Sequence, residues 1–64
     1  MNVYICKRGR DMWEGALLIA AADEAEAARL FRMQEAEEPT RVRLLDDKVV
    51  ATGEPRVLYD DDMR

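Results

Sequence analysis

Carboxylates are the only abundant groups in this 64-residue chain that could take part in chemistry. The sequence has 14 Asp and Glu residues, no His and a single cysteine, Cys6. Serine is also missing, so neither a Ser-His-Asp nor a Cys-His arrangement can be built, and zinc sites need several Cys or His ligands. Cys6 lies in a strand-like segment, which favours a buried structural thiol. We therefore expect no enzyme activity, no metal site and no cofactor.

The carboxylates do not show the spacing of known carboxylate sites either. The triplet Asp60-Asp61-Asp62 lacks the alternating ligands and the glycine of a calcium loop. A carboxylate pair that hydrolyses a glycoside needs a cleft, which a chain of this length is too short to enclose. The dispersed Gly9, Gly15 and Gly53 form no phosphate-binding loop. The acidic residues are therefore expected to act through their charge.

The stretch from Gly15 to Met33 predicts the scaffold that must position these residues. Its apolar start, residues 15–21, is short enough for one buried strand. Asp23, with Glu26 three residues later, then forms an Asp variant of the capping box, and a helix is expected over about residues 24–36. Phe31 is the expected anchor of this helix on the sheet, and Pro39 is expected to end the helix.

Four further segments have the composition of strands. They are residues 3–7, 41–45, 49–52 and 56–59, and the first is expected to pair with residues 15–21 in a hairpin that turns at residues 8–14. Asp60-Asp61-Asp62 is expected to leave the sheet in an acidic tail, residues 60–64. We predict one α+β domain, residues 1–64, in which a single helix packs on a mostly antiparallel sheet of four to five short strands, in the order ββαββ(β).

Acidic clusters are the feature of the sequence that points most directly to binding. The formal net charge is -4, which disfavours direct contact with nucleic acid or with an anionic membrane. Any one acid is explained most simply as a solvated residue that keeps a small protein soluble. Together, however, the carboxylates could take the place of nucleic-acid phosphates in a basic groove. The candidate binding residues are Glu35, Glu37, Glu38, Asp46, Asp47, Asp60, Asp61 and Asp62.

Trp13 is a second candidate contact, between the basic Lys7–Arg10 segment and the apolar strand. It could cover one end of the core, or it could anchor an interface, where Trp is favoured. In the second case the chain would be a structural or assembly module that dimerises, or docks on a larger protein, through a sheet edge and Trp13. A chain this short is near the lower limit for folding alone, so both a monomer and a homodimer remain open.

In length, acidity and strand-helix-strand layout, the chain resembles small acidic proteins of phages and mobile elements, including many anti-CRISPR proteins. The resemblance rests on the acidic clusters named above; Lys7, Arg8 and Arg10 depart from a uniformly negative surface. It implies a non-enzymatic inhibitor that binds a basic complex, such as a CRISPR surveillance complex, and blocks DNA recognition by mimicking DNA. A cytoplasmic location in a bacterial host is expected, because the sequence has one cysteine, no apolar signal run and no stretch of transmembrane length.

Overall fold

A computed structural model describes residues 1–10 and 13–61 of the chain, without the side chains of Arg10, Trp13, Glu14 and Asp61. Along the chain the elements are β1 (Asn2–Arg10), β2 (Trp13–Ala21), α1 (Glu24–Glu35), β3 (Arg41–Leu44) and β4 (Arg56–Asp61). The strands form one antiparallel sheet in the spatial order β3-β1-β2-β4. The predicted α+β class, with one helix on an antiparallel sheet, is confirmed.

The long central hairpin of β1 and β2 supports the rest of the sheet. Its register runs from Asn2 opposite Ala21 to Arg10 opposite Trp13. Gly9 was predicted to lie in the turn, but it lies within β1 opposite Glu14, because strand pairing continues past it to Arg10. Each strand of the hairpin is therefore longer than its apolar segment alone predicts.

The core lies between α1 and one face of the sheet. Its largest fully buried side chains are Phe31 of α1, Leu17 and Ile19 of β2, and Cys6 of β1. The predicted anchoring role of Phe31 is confirmed, and Cys6 is buried as expected. Since Tyr4 also belongs to this cluster and Arg8 contacts Glu35 of α1, the side chains of Tyr4, Cys6 and Arg8 point toward the helix.

Side-chain and backbone hydrogen bonds fix both ends of α1. The Glu26 backbone N–H donates to the Asp23 carboxylate at 2.8 Å, and the Ala22 N–H donates to the Glu26 carboxylate at 2.7 Å, so the predicted Asp cap is confirmed. The helix ends before Pro39, because Ala36 adopts the left-handed conformation (φ 59°, ψ 28°) and its N–H donates to the Arg32 carbonyl. This αL cap satisfies a carbonyl that the last turn would otherwise leave free.

The predicted strand over residues 49–52 is wrong. Asp46 closes a turn in which its side chain accepts from the Lys48 N–H and its carbonyl accepts from the Val49 N–H. Val50 then makes only an isolated bridge with Asn2. Gly53, with φ 93°, turns the chain toward β4 directly after this bridge, so no ladder can grow. The described part of the chain therefore has four strands and not five.

The acidic tail was predicted to start at Asp60, but β4 continues through Asp61. Asp60 lies opposite Leu17, and Asp61 lies opposite Ala16. The strand is longer than predicted because the free edge of β2 extends past its register with Tyr59 and offers further backbone partners. Asp62 lies outside the described residues.

Candidate functional site

Arg8 holds two of the predicted acidic site residues together. Its guanidinium Nη1 lies 2.6 Å from Glu35 Oε1 at the end of α1, and its Nη2 contacts Asp60 Oδ1 on β4. The Arg8 and Glu35 side chains are only 19% and 14% exposed. We call Arg8, Glu35 and Asp60 the Arg8 network. One guanidinium thus shares its charge between two carboxylates, and the network ties α1, β1 and β4 together.

Three of the other predicted acidic residues, Glu38, Asp46 and Asp47, lie outside this network, and Glu37 is half-buried. Arg32 contacts Glu38 at 3.3 Å, whereas Glu35 turns inward to Arg8. Asp46 closes its own turn, and Asp47 is exposed. Glu35 to Glu38 precede β3 and Asp46 follows it, so the two groups lie at opposite ends of that strand.

Three candidate residues have no described side chain. Asp61 and Trp13 are placed by their backbones in β4 and β2, whereas Asp62 lies outside the described residues. Trp13 lies opposite Arg10 at the turn end of the central hairpin. Its predicted role as an interface anchor stays a prediction.

The sheet has a second face, which α1 does not cover. Successive strand residues point to opposite sides, so the residues that alternate with Tyr4 and Cys6, and their register partners, lie on this side. Val3 and Ala20 at one end of it are buried. We call the remainder the open face; its members with described side chains are Ile5, Lys7, Ala16, Leu18, Arg41, Arg43, Arg56 and Tyr59. The backbones of Glu14 and Asp61 hold register positions on the same side, opposite Gly9 and Ala16.

One row of side chains crosses all four strands of the open face. The register places Arg43 opposite Ile5, Ile5 opposite Leu18, and Leu18 opposite Tyr59. Tyr59 is 58% exposed, whereas Ile5 and Leu18 are half-buried. Three strand spacings of about 4.8 Å separate the ends of the row, so the backbone positions of Arg43 and Tyr59 lie roughly 14 Å apart, with the apolar Ile5 and Leu18 between them.

Three cations of the open face have no counter-ion among the side chains that the structure describes. Lys7 lies directly opposite Arg41 on the neighbouring strand, and none of the described carboxylates pairs with Lys7, Arg41 or Arg43. Arg56 differs, because its Nη1 donates to the carbonyls of Thr52 and Glu54 at 2.7 and 2.8 Å. Like charges directly opposite each other destabilise a sheet, so the fold itself does not explain this arrangement.

Sequence reasoning missed this site, although part of its signal was visible. The sequence alternates Arg41 and Arg43 with Val42 and Leu44, and in β3 the two arginines are exposed while Val42 and Leu44 are half-buried. The sequence did not show that β3 pairs with β1 or that Arg41 meets Lys7. That register depends on strand order, which short apolar runs do not specify.

The described residues offer binding groups rather than reactive ones. No cluster of three or more His, Cys, Asp or Glu that could hold a metal ion occurs among them. Burial raises the pKa of the Cys6 thiol to about 11, so this thiol stays protonated and a poor nucleophile at neutral pH. In the same part of the chain, no helix is long and apolar enough to cross a membrane.

No protein-family model, curated protein or solved structure matches this chain. Its function therefore has to be inferred from the chemistry of the open face and of the Arg8 network.

Proposed function

We propose that this protein is a non-enzymatic binding protein whose contact surface is the open face of its sheet. The observation that carries the proposal is the cross-strand pair of Lys7 and Arg41, which has no counter-ion among the described side chains. The chain has 14 acidic and only 10 basic residues, so acids to neutralise the pair are plentiful. An anionic partner would supply the missing negative charge.

Lys7 and Arg8 are neighbours in β1, but of the two only Arg8 pairs with described carboxylates. Arg8 points toward the helix side, where it contacts both Glu35 and Asp60. Lys7, one residue earlier, points to the open face and meets another cation. Residue choices that do not favour the local structure are expected mainly at functional sites. The pair of Lys7 and Arg41 is such a choice, because like charges directly opposite each other destabilise a sheet.

The apolar row supports a contact surface rather than a merely solvated one. Interfaces combine an apolar centre with aromatic and arginine side chains. Ile5 and Leu18 supply the centre, and Tyr59 and Arg43 lie at the two ends of the row. This surface suits a docking contact better than binding through carboxylates, and it is a sheet face rather than the sheet edge with Trp13 that was predicted.

Inhibition of a nucleic-acid-handling complex, such as a CRISPR surveillance complex, by mimicry of DNA phosphates is a proposal with weaker support. Glu35 and Asp60 share Arg8, and Glu38 contacts Arg32, so part of their charge is balanced within the molecule. Under our proposal, a Glu38→Gln/Asp47→Asn variant binds its ligand as tightly as the wild type, whereas a phosphate mimic would be weakened. The cytoplasmic location and the oligomeric state stay predictions.

The proposal can be tested by NMR titration of the isotope-labelled protein with three polyanions: polyglutamate, a single-stranded oligonucleotide and the corresponding duplex. We expect at least one of them to shift the amide signals around Ile5, Lys7, Arg41 and Arg43. We also expect an Arg41→Gln/Arg43→Gln variant to lose these shifts.

Arg29→Gln/Arg32→Gln is the matched control, because it removes the same charge from exposed positions of α1. Its titration should resemble that of the wild type. If none of the three polyanions shifts signals of the open face, or if both double variants lose binding equally, the proposal is wrong.

A further inference from the structure

We infer that the ligand of the open face is single-stranded nucleic acid, held by Lys7, Arg41 and Arg43 on one side and by Tyr59 on the other. The inference rests on the proposed function, since it names the ligand class for the same surface.

The three cations form a patch suited to a repeating anion. Arg41 and Arg43 are two residues apart on the same side of β3, which separates them by roughly 7 Å along the strand. Lys7 lies beside Arg41 on β1, about 5 Å away across the pair. A single carboxylate or phosphate could neutralise only part of this patch, whereas a sugar-phosphate backbone running over β3 and β1 could neutralise all of it.

Tyr59 supplies a second recognition element that a simple polyanion would not need. Its side chain is 58% exposed and lies at the far end of the row from Arg43. Bases of single-stranded nucleic acid stack on exposed aromatic rings, and four-stranded sheets can serve as platforms for such stacking. Leu18 and Ile5 form the apolar floor between the ring and the cations, on which further base or sugar surface can lie.

The open sheet face and the exposed ring favour a single strand over a duplex and over an acidic peptide. Bases in a duplex are already stacked and present only their edges in the grooves, so they cannot reach Tyr59 face on. An acidic peptide could pair with the cations, but its carboxylates would offer the ring no planar partner.

The net charge of -4 led to the expectation that nucleic acid is not bound directly, but two exposed acids that contribute to this charge lie away from the open face. The exposed acids at the start of α1, Asp23 and Glu24, belong to the layer that packs on the other face of the sheet. Packed layers lie about 10 Å apart, which is longer than the Debye length of about 8 Å at physiological ionic strength. Their repulsion of a ligand on the open face is therefore largely screened.

Fluorescence anisotropy with a labelled single-stranded oligonucleotide tests the inference. We expect Tyr59→Ala to raise the Kd by about 5- to 150-fold, the range that loss of one stacked base implies. Tyr59→Phe, which keeps the ring, should stay close to the wild type. Circular dichroism of each variant checks that it is folded.

The salt dependence of Kd gives an independent readout that does not depend on Tyr59. Arg41→Gln/Arg43→Gln should reduce the slope of log Kd against log salt by about 1.4, because each phosphate contact to a single strand contributes about 0.7. Arg29→Gln/Arg32→Gln should leave the slope unchanged. Equal binding of the corresponding duplex, or wild-type affinity of Tyr59→Ala, would overturn the inference. If only polyglutamate shifts the open face, the inference fails and the proposed function stands; if no polyanion does, both fail.

Discussion

Two neighbouring residues of β1, Lys7 and Arg8, carry the same charge and have opposite surroundings. Strand alternation sends Arg8 to the helix side, where Glu35 and Asp60 contact its guanidinium. It sends Lys7 to the open face, opposite Arg41. The basic segment at Lys7, Arg8 and Arg10 is one cluster in the sequence, but the fold gives Arg8 carboxylate partners and places Lys7 on the open face, where we propose that it binds a ligand.

The structural role of Arg8 predicts a loss of stability on Arg8→Met. The apolar stem is kept, but Glu35 and Asp60 lose their shared cation and are left close together. We expect the free energy of unfolding, measured by urea titration, to fall by about 2 kcal/mol, since hydrogen bonds to charged groups contribute about 1.5–3 kcal/mol. Arg29→Met removes a cation that is 54% exposed and lies 3.8 Å from Glu26, and it should change stability by less than about 0.5 kcal/mol. Equal losses in the two variants would contradict the account of the Arg8 network.

Burial of Cys6 predicts a loss of stability at alkaline pH. Its pKa rises from the ordinary value of 9.0 to about 11 in the fold, so above pH 9 the unfolded chain releases this proton while the folded chain keeps it. Stability should therefore fall as the pH rises from 9 toward 11, because the folded state binds more protons. Urea midpoints measured across this range should fall further for the wild type than for Cys6→Ala. Parallel curves would show that Cys6 is not the titrating group.

Among the elements, α1 was the easiest to predict and the segment over residues 49–52 the hardest. The Asp23 cap and the anchoring Phe31 follow from spacing within one helix, and both are observed. Val49 and Val50 have strand-like composition, but the Asp46 turn before them and Gly53 after them allow only one bridge. The composition of a segment indicates how readily it becomes a strand, but a hydrogen-bonded ladder also needs a free strand edge of sufficient length to pair with.

The end of α1 predicts a stabilising substitution. Ala36 has φ 59°, a left-handed conformation in which its Cβ is strained and glycine is not. Ala36→Gly should therefore raise the free energy of unfolding by up to about 1 kcal/mol. The matched control, Ala28→Gly within α1, should lower it by about 1 kcal/mol. Thermal unfolding of both variants measures the difference, and a loss of stability in Ala36→Gly would contradict the observed cap.

At the scale of the whole molecule, the net charge of the sequence is acidic, whereas the fold brings Lys7, Arg41 and Arg43 together on one face of the sheet. The class and the helix could be predicted because local patterns determine them. The candidate site could not, because Arg41 meets Lys7 only through the pairing of β3 with β1, and β3 is distant from β1 in the sequence. The acidic clusters were visible in the sequence, but only the structure shows that Arg8 balances Glu35 and Asp60.

Urea unfolding of Arg41→Glu, without and with a single-stranded oligonucleotide, tests most directly the claim that the open face keeps its cations for a ligand. The new carboxylate would lie opposite Lys7 and replace a repulsive pair with an attractive one. We predict that the variant is more stable than the wild type alone, by about 0.2–1 kcal/mol, and that the oligonucleotide stabilises only the wild type. A less stable variant, or equal stabilisation of both proteins by the oligonucleotide, would contradict the account.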